Sequence, residues 1–304
     1  MTVAVTPAAA HLGMLLWAVL VGLSFPAVGL MSELPPLSLT ALRFAIACGA
    51  LWWLARRSPT FLPSWRLLPL YALMGLCLAG FFGAMFWAAH HATALSMATL
   101  YVTVPLLAFL LGLGLRVERP GWRLPAVLSL GALGALGLAV AEAWQQGGRL
   151  RFGAGEAVFF LGCVSTALYP VLSKWGLATG RLPASAAVRT FWSLGAGGVL
   201  IGLLGLAVEP LGVLATMSAR DLALLVYLGL FSSALTFWLM QRATAALTPG
   251  VVTAYGYLVP FVSMLLLFVQ SPARIGWAWL PGSLTVLVAM GLLIRRERPQ
   301  APAG

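Results

Sequence analysis

The stretch Phe86-Trp87-Ala88-Ala89-His90-His91-Ala92-Thr93-Ala94, which runs on to Val104-Pro105, occurs twice in this chain. Its second copy reads Phe237-Trp238-Leu239-Met240-Gln241-Arg242-Ala243-Thr244-Ala245 and runs on to Val259-Pro260. In each copy an apolar run ends in Phe-Trp, turns over a few polar residues, passes Ala-Thr-Ala and enters another apolar run broken by one proline. The flanks repeat too. Gly121-Trp122 matches Gly276-Trp277, Phe25-Pro26 matches Tyr169-Pro170, and Pro36 ahead of Arg43 matches Pro183 ahead of Arg189. From Ala-Thr-Ala to proline the second copy is four residues longer, about one helical turn. The chain therefore divides into two halves of one design, residues 1–148 and 149–304.

Composition says where these halves reside. With 61% hydrophobic residues, 8% charged and only 7 acidic side chains in 304 residues, the chain cannot cover a water-soluble surface with charge. It belongs in a lipid bilayer. The net charge of +11 does not point to nucleic acid, because the arginines lie in short loops between apolar runs, where they orient a membrane protein. Cys48, Cys77 and Cys163 lie inside apolar runs without metal or redox-pair spacing and read as small packing residues. The first apolar run has no basic region ahead of it and is long enough to span, so it reads as a retained helix rather than a cleaved signal.

A span needs about 20 mostly apolar residues. Cutting at charges, prolines and turn residues predicts ten: 9–30, 36–55, 67–88, 93–115, 122–143, 153–174, 183–207, 221–241, 245–269 and 275–294. With the N-terminus inside, twelve basic residues fall on the cytoplasmic side, among them Arg56, Arg57, Arg66, Arg116, Arg119 and Arg123. Four fall outside: Arg149, Arg151, Arg220 and Arg274. That bias, with Arg298 in the cytoplasmic set, places both termini in the cytoplasm. Tryptophans such as Trp144 near span ends suit the aromatic belts. Five spans per half is an odd number, so the second half enters the membrane upside down relative to the first. The expected fold is an all-α integral membrane protein, ten transmembrane helices as two inverted five-helix repeats around a central cavity. Such halves can exchange conformations and open one site to each side in turn.

Candidate functional residues gather round the prolines. Pro26, Pro105, Pro170 and Pro260 interrupt spans one, four, six and nine, each removing a backbone donor and freeing a carbonyl. Together with Phe86, Trp87, Phe237 and Trp238 they are the predicted gates and hinges. Trp17, Ser24, Phe25, Thr99, Tyr101, Thr103, Ser165, Thr166, Tyr169, Thr253, Tyr255 and Tyr257 are the predicted substrate-binding residues, a largely apolar set with hydroxyls and rings that suits an amphipathic solute. Each of these also reads as ordinary interhelical packing. His90 and His91 at a hairpin tip and Glu156 near a span end are the candidates for proton sensing, and Glu156 is expected at the interface. Arg43 and Arg189 lie shallow enough in their spans to snorkel or pair structurally. No carboxylate falls at a span's middle, no metal cluster or cofactor loop is evident, and no nucleophile, base and acid are set for catalysis.

These residues resemble the EamA-type branch of the drug/metabolite transporter superfamily: ten spans in two inverted halves, the Ala-Thr-Ala hairpin entering a proline-broken helix, and Arg43 and Arg189 early in the second span of each half. The resemblance covers nearly the whole chain, and within the branch it is nearest to the aromatic amino acid exporters, whose relatives export broad sets of amino acids and methyl viologen. It implies a secondary transporter, not an enzyme, working without cofactor as a monomer in the bacterial inner membrane, with amino acids and the bilayer as its partners. It also implies a basket of spans one, three, four, six, eight and nine, with spans five and ten peripheral. Many members carry an acid directly before the hairpin-helix proline. Here Val104 and Val259 stand there, which favours a neutral, greasy site over carboxylate-based coupling. The alternative is export of other small metabolites or cationic drugs. Exchange of nucleotide sugars or sugar phosphates would call for basic residues at the midplane, and an intramembrane enzyme for clustered acids or metal ligands.

Overall fold

The computed structural model describes residues 5–146, 150, 153–270 and 276–296, with side chains for all but Trp144–Gln146, Leu267 and Gln270 among them. Arg149, Arg151, Arg274 and Arg298 of the charge pattern, and the side chain of Trp144, lie outside the described residues. The described chain is helical throughout, and ten of its helices are long and apolar enough to cross a membrane. They are α1 (Pro7–Gly29), α2 (Pro36–Arg56), α3 (Leu68–Ala88), α4 (Ala94–Gly114), α5 (Arg123–Ala143), α6 (Ala154–Ala178), α7 (Ala186–Val208), α8 (Ala219–Ala246), α9 (Pro249–Leu266) and α10 (Trp277–Arg296). All ten predicted spans are present, because a length of apolar chain sufficient to cross hydrocarbon can satisfy its backbone there only as a helix.

The helix starts follow local chemistry. Thr6, Thr93, Ser185 and Ser218 accept from the backbone three residues on, and prolines occupy the first turn of α1, α2, α3 and α9, where the missing N–H is no loss. Three acids join a helix start to chain far away in sequence. Glu209, just past α7, accepts from Leu37 N (2.7 Å), Ser38 N (2.8 Å) and Ser38 Oγ (2.7 Å) at the head of α2. Asp221 accepts from Ser32 N and Oγ as well as from its own cap, Ser218. Glu118, between α4 and α5, accepts from Gly250 N (2.7 Å) at the head of α9. We expect Glu209→Ala to cost about 1–2 kcal/mol through loss of that cap, read as a lower melting temperature of the purified protein, with Glu209→Gln milder.

Two helices broken by proline part in different ways from the expectation of simple kinks. Helical backbone in α4 stops at Tyr101, turns at Val102 and Thr103, and restarts at Val104, so Pro105 sits in the first turn of a new segment. In α9 a 3₁₀ turn at Tyr255–Tyr257 precedes Pro260. At the first break the Val102 carbonyl accepts the Tyr257 hydroxyl at 3.1 Å. By contrast α1 and α6 run unbroken through Pro26 and Pro170. The two Ala-Thr-Ala copies also differ. Thr93 caps the start of α4, whereas Thr244 is still inside α8, which continues to Ala246; this places the extra turn of the second copy.

Packing joins α2 to α7, α5 to α10, α3 to both α6 and α7, and α8 to both α1 and α2, while α4 lies against α6 and α9 against α1. Small residues permit the closest approaches. A Cβ at Gly75 would lie 2.6 Å from Ala196 Cβ and from Gly197 N, and one at Gly282 would lie 2.8 Å from Leu138 N. Between Leu228 and Leu235, α8 widens into a π-helical stretch that faces α2.

Candidate functional site

Aromatic rings carry the two copies of the Phe-Trp motif into contact. Phe86 meets Phe82 (ring centroids 6.2 Å), Phe82 meets Phe44 (5.5 Å), Phe44 meets Phe237 (6.0 Å), and Phe237 meets Tyr169 (5.9 Å). A branch runs from Phe82 through Phe81 to Tyr101 (5.3 and 6.1 Å). The spine thus draws on α2, α3, α4, α6 and α8, with edge-on contacts that exploit the ring quadrupole. It unites Phe86, Phe237, Tyr101 and Tyr169 of the predicted set. Phe44, Phe81 and Phe82 were missed, because a phenylalanine inside an apolar span gives no signal of its own.

At one end of the spine Tyr169 enters a polar latch. Gln241 Nε2 donates to the Tyr169 hydroxyl (2.8 Å), which also lies 2.8 Å from Ser193 Oγ. The Gln241 side-chain carbonyl accepts from Arg189 Nε (3.0 Å) and from Ser173 Oγ. Arg189 further donates through Nη1 to the carbonyls of Pro183 (2.6 Å) and Ala184 (2.9 Å), and through Nη2 to that of Gln241. Arg189 and Gln241 are both 0% exposed, so the arginine does not snorkel; its donors are consumed by α7's own entry and by α8. Gln241 lies in the repeated motif itself, three residues after Trp238, where a polar residue reads as turn.

The matched positions of the first half are packed differently. Phe25, the counterpart of Tyr169, is 59% exposed, Trp87 is 42% exposed, and His90, the counterpart of Gln241, is exposed too. His90 and His91 place Nδ1 against the carbonyls of Phe86 and Trp87, and His91 stacks on Trp87 at 4.0 Å. Arg43, the counterpart of Arg189, is 8% exposed and donates from Nη2 to Ser232 Oγ in the π-helical stretch of α8 at 3.2 Å. In the second copy Trp238 is partly buried beneath the Arg242 guanidinium, 5.4 Å from its ring centre.

The remaining predicted residues fall elsewhere. The hydroxyls of Ser24, Thr99, Thr103, Ser165 and Thr253 donate to carbonyls three or four residues back in their own helices, a habit that satisfies the group without reaching across. Thr166 is half-buried on α6, Trp17 is buried in the core with α9, and Tyr255 lies 2.6 Å from His11 Nδ1, a buried histidine the sequence reading passed over. Glu156, in the first turn of α6, is buried and accepts from Gly153 N at 2.9 Å, closing its own helix start, while Oε1 has no partner among the described residues. A cleft of about 510 Å³ between α4 and α6 is lined by leucines such as Leu107, Leu111, Leu168 and Leu172, and none of the predicted site residues borders it.

The helices are arranged as in a protein already solved. A chain described as "Crystal structure of protein" matches with a TM-score of 0.76, covering 96% of this chain and 99% of that one at 22% identity. The fold is a known one. In sequence the chain is similar to Protein PecM of Dickeya dadantii (strain 3937), 28% identical over 269 residues that cover 86% of each. No protein-family profile matches the chain.

Proposed function

We propose that this multi-pass membrane protein is a secondary transporter of the EamA type that exports amino acids across the bacterial inner membrane by alternating access. The observation that carries the reading is the unequal packing of matched positions. Tyr169 is 1% exposed where Phe25 is 59%, and Gln241 is 0% exposed where His90 lies open. One design held closed at one end and loosened at the other is what an alternating-access protein adopts in one of its two states. The helix pairing supports two equivalent halves. Exchanging the two halves pairs α2 with α7 and α5 with α10 and converts α3–α6 into α8–α1, and all of these contacts are present. With both termini inside, the Arg189 latch lies at the cytoplasmic ends of α7 and α8, and the closed mouth of this reading is the one it fastens.

Reconstitution tests this. Liposomes loaded with unlabelled phenylalanine, threonine or lysine should take up the labelled amino acid faster than empty-protein controls, with and without a pH gradient. Absence of counterflow for all three would refute amino-acid export. Trp238→Ala removes the ring beneath Arg242 at the closed mouth, and we expect it to change flux several-fold while the melting temperature moves little; equal rates would remove Trp238 from the gate.

A further inference from the structure

Two arginines stand at matched places in the two halves, and their surroundings differ in a way that assigns them different work. The Arg189 guanidinium is spent: four acceptors, three of them backbone carbonyls, take its donors. The Arg43 guanidinium makes a single hydrogen bond among the described residues, to Ser232 Oγ. Its Nε is buried without an acceptor, and no carboxylate among the described residues pairs with it. Beside Ser232 in the same π-helical stretch, the hydroxyl of Ser233 is fully buried and also lacks a partner among the described residues. A buried cation and a buried hydroxyl, both unsatisfied and on facing elements, hold hydrogen-bonding capacity that the fold itself does not use. π-helical turns inside α-helices recur at functional sites because they turn side chains out of register.

Phe44 follows Arg43 directly and sits at the middle of the ring spine, against Phe82 and Phe237. The charged fork and the ring spine thus stand on consecutive residues of α2, about 100° apart round the helix, and Arg43 and Phe44 both meet α8, at Ser232 and at Phe237. We infer that Arg43, with Ser232 and Ser233, is the subsite for the carboxylate of the transported solute, whose apolar or aromatic side lies along Phe44, Phe82 and Phe237. A planar guanidinium matches a carboxylate bidentately, and in a site withdrawn from water that pairing is strong. The inference rests on the transport reading and narrows it to solutes that carry a carboxylate beside an apolar body. It excludes cations such as methyl viologen, which Arg43 would repel.

The test compares three probes of one shape: L-phenylalanine, its amide L-phenylalaninamide, and 2-phenylethylamine. Binding to the purified full chain is measured by titration calorimetry. L-Phenylalanine should bind about tenfold to a hundredfold more tightly than either of the others, the range expected for hydrogen bonds to a charged group. Arg43→Gln should erase that preference, Arg43→Lys should keep part of it, and Ser233→Ala should weaken acid binding several-fold. If Arg43→Gln does not fold, Arg43→Lys and Ser233→Ala decide. Equal binding of acid and amide, no binding of the acid, or an unchanged preference in the folded variants would overturn the subsite. Flux in liposomes separates the two readings. Transport of the amine without preference for the acid would remove the subsite and leave a transporter. Acid binding that needs Arg43 in a protein with no flux would remove transport and leave the subsite.

Discussion

Arg189→Ala is expected to be among the most damaging single substitutions in the chain. The carbonyls of Pro183 and Ala184 lose their side-chain donor, that of Gln241 loses one of its donors and keeps Thr244 Oγ1, and the Gln241 side chain loses the group that orients it. A buried acceptor left unsatisfied costs about 1–3 kcal/mol; with Ala184 itself exposed, the Pro183 carbonyl and the Gln241 side chain bear the loss, about 2–6 kcal/mol for the two, a large share of a typical folding free energy of about 5–15 kcal/mol. The melting temperature in detergent should fall by roughly 5 °C or more. Arg43→Ala provides the contrast. It removes one hydrogen bond and relieves a buried, unpaired cation, so its melting temperature should stay near that of the unaltered protein. Equal losses at the two positions would show that both arginines are structural.

Gly75→Val should be as severe by a different route. A Cβ there already lies 2.6 Å from Ala196 Cβ and Gly197 N, and 2.8 Å from the Ala196 carbonyl carbon. The obstruction is mostly backbone, which has no rotamer to change, so α3 and α7 must move apart. Overpacking of this kind costs about 1–3 kcal/mol and more where backbones collide, and close helix approach is a main source of cohesion where no hydrophobic effect acts between helices. The yield of monodisperse protein after solubilisation should drop sharply. Gly49→Val in α2, where an added Cβ meets nothing within 4 Å, should leave that yield unchanged.

How much of this was legible in the residues depended on the physics behind each feature. Span positions were: the predicted 36–55 and 67–88 became Pro36–Arg56 and Leu68–Ala88, since hydrocarbon thickness fixes length and proline or charge fixes ends. Depth of burial was not. Counting turns from a helix start placed Arg189 within snorkelling reach, but only the fold shows that α7's entry and α8 close over it. The same holds for Glu156, whose burial and bond to Gly153 N its span-end position did not announce. Prolines signalled breaks correctly in α4 and α9 yet not in α1 and α6, because whether a helix parts at proline depends on what its neighbours offer the freed groups. The ring spine needed coordinates, since its members come from five helices and only their meeting distinguishes them from ordinary span residues.

The acids Glu209, Asp221 and Glu118 have a bearing on motion. Each fastens one helix head to a loop far away in sequence, Glu209 and Asp221 tying the α7–α8 corner to the α1–α2 corner, and Glu118 the α4–α5 loop to the head of α9. Prising apart the corners that Glu209 and Asp221 tie would strip a carboxylate from two or more donors at once, and parting the α4–α5 loop from α9 would strip Glu118 from Gly250 N. Flexing is cheaper in the middle of the helices, at Val102–Thr103, at Leu228–Leu235 and at Tyr255–Tyr257, where regular winding is already interrupted. The molecule is thus built like a frame with riveted joints and jointed struts, and shape change should be sought by distance measurements between mid-helix positions rather than between loops.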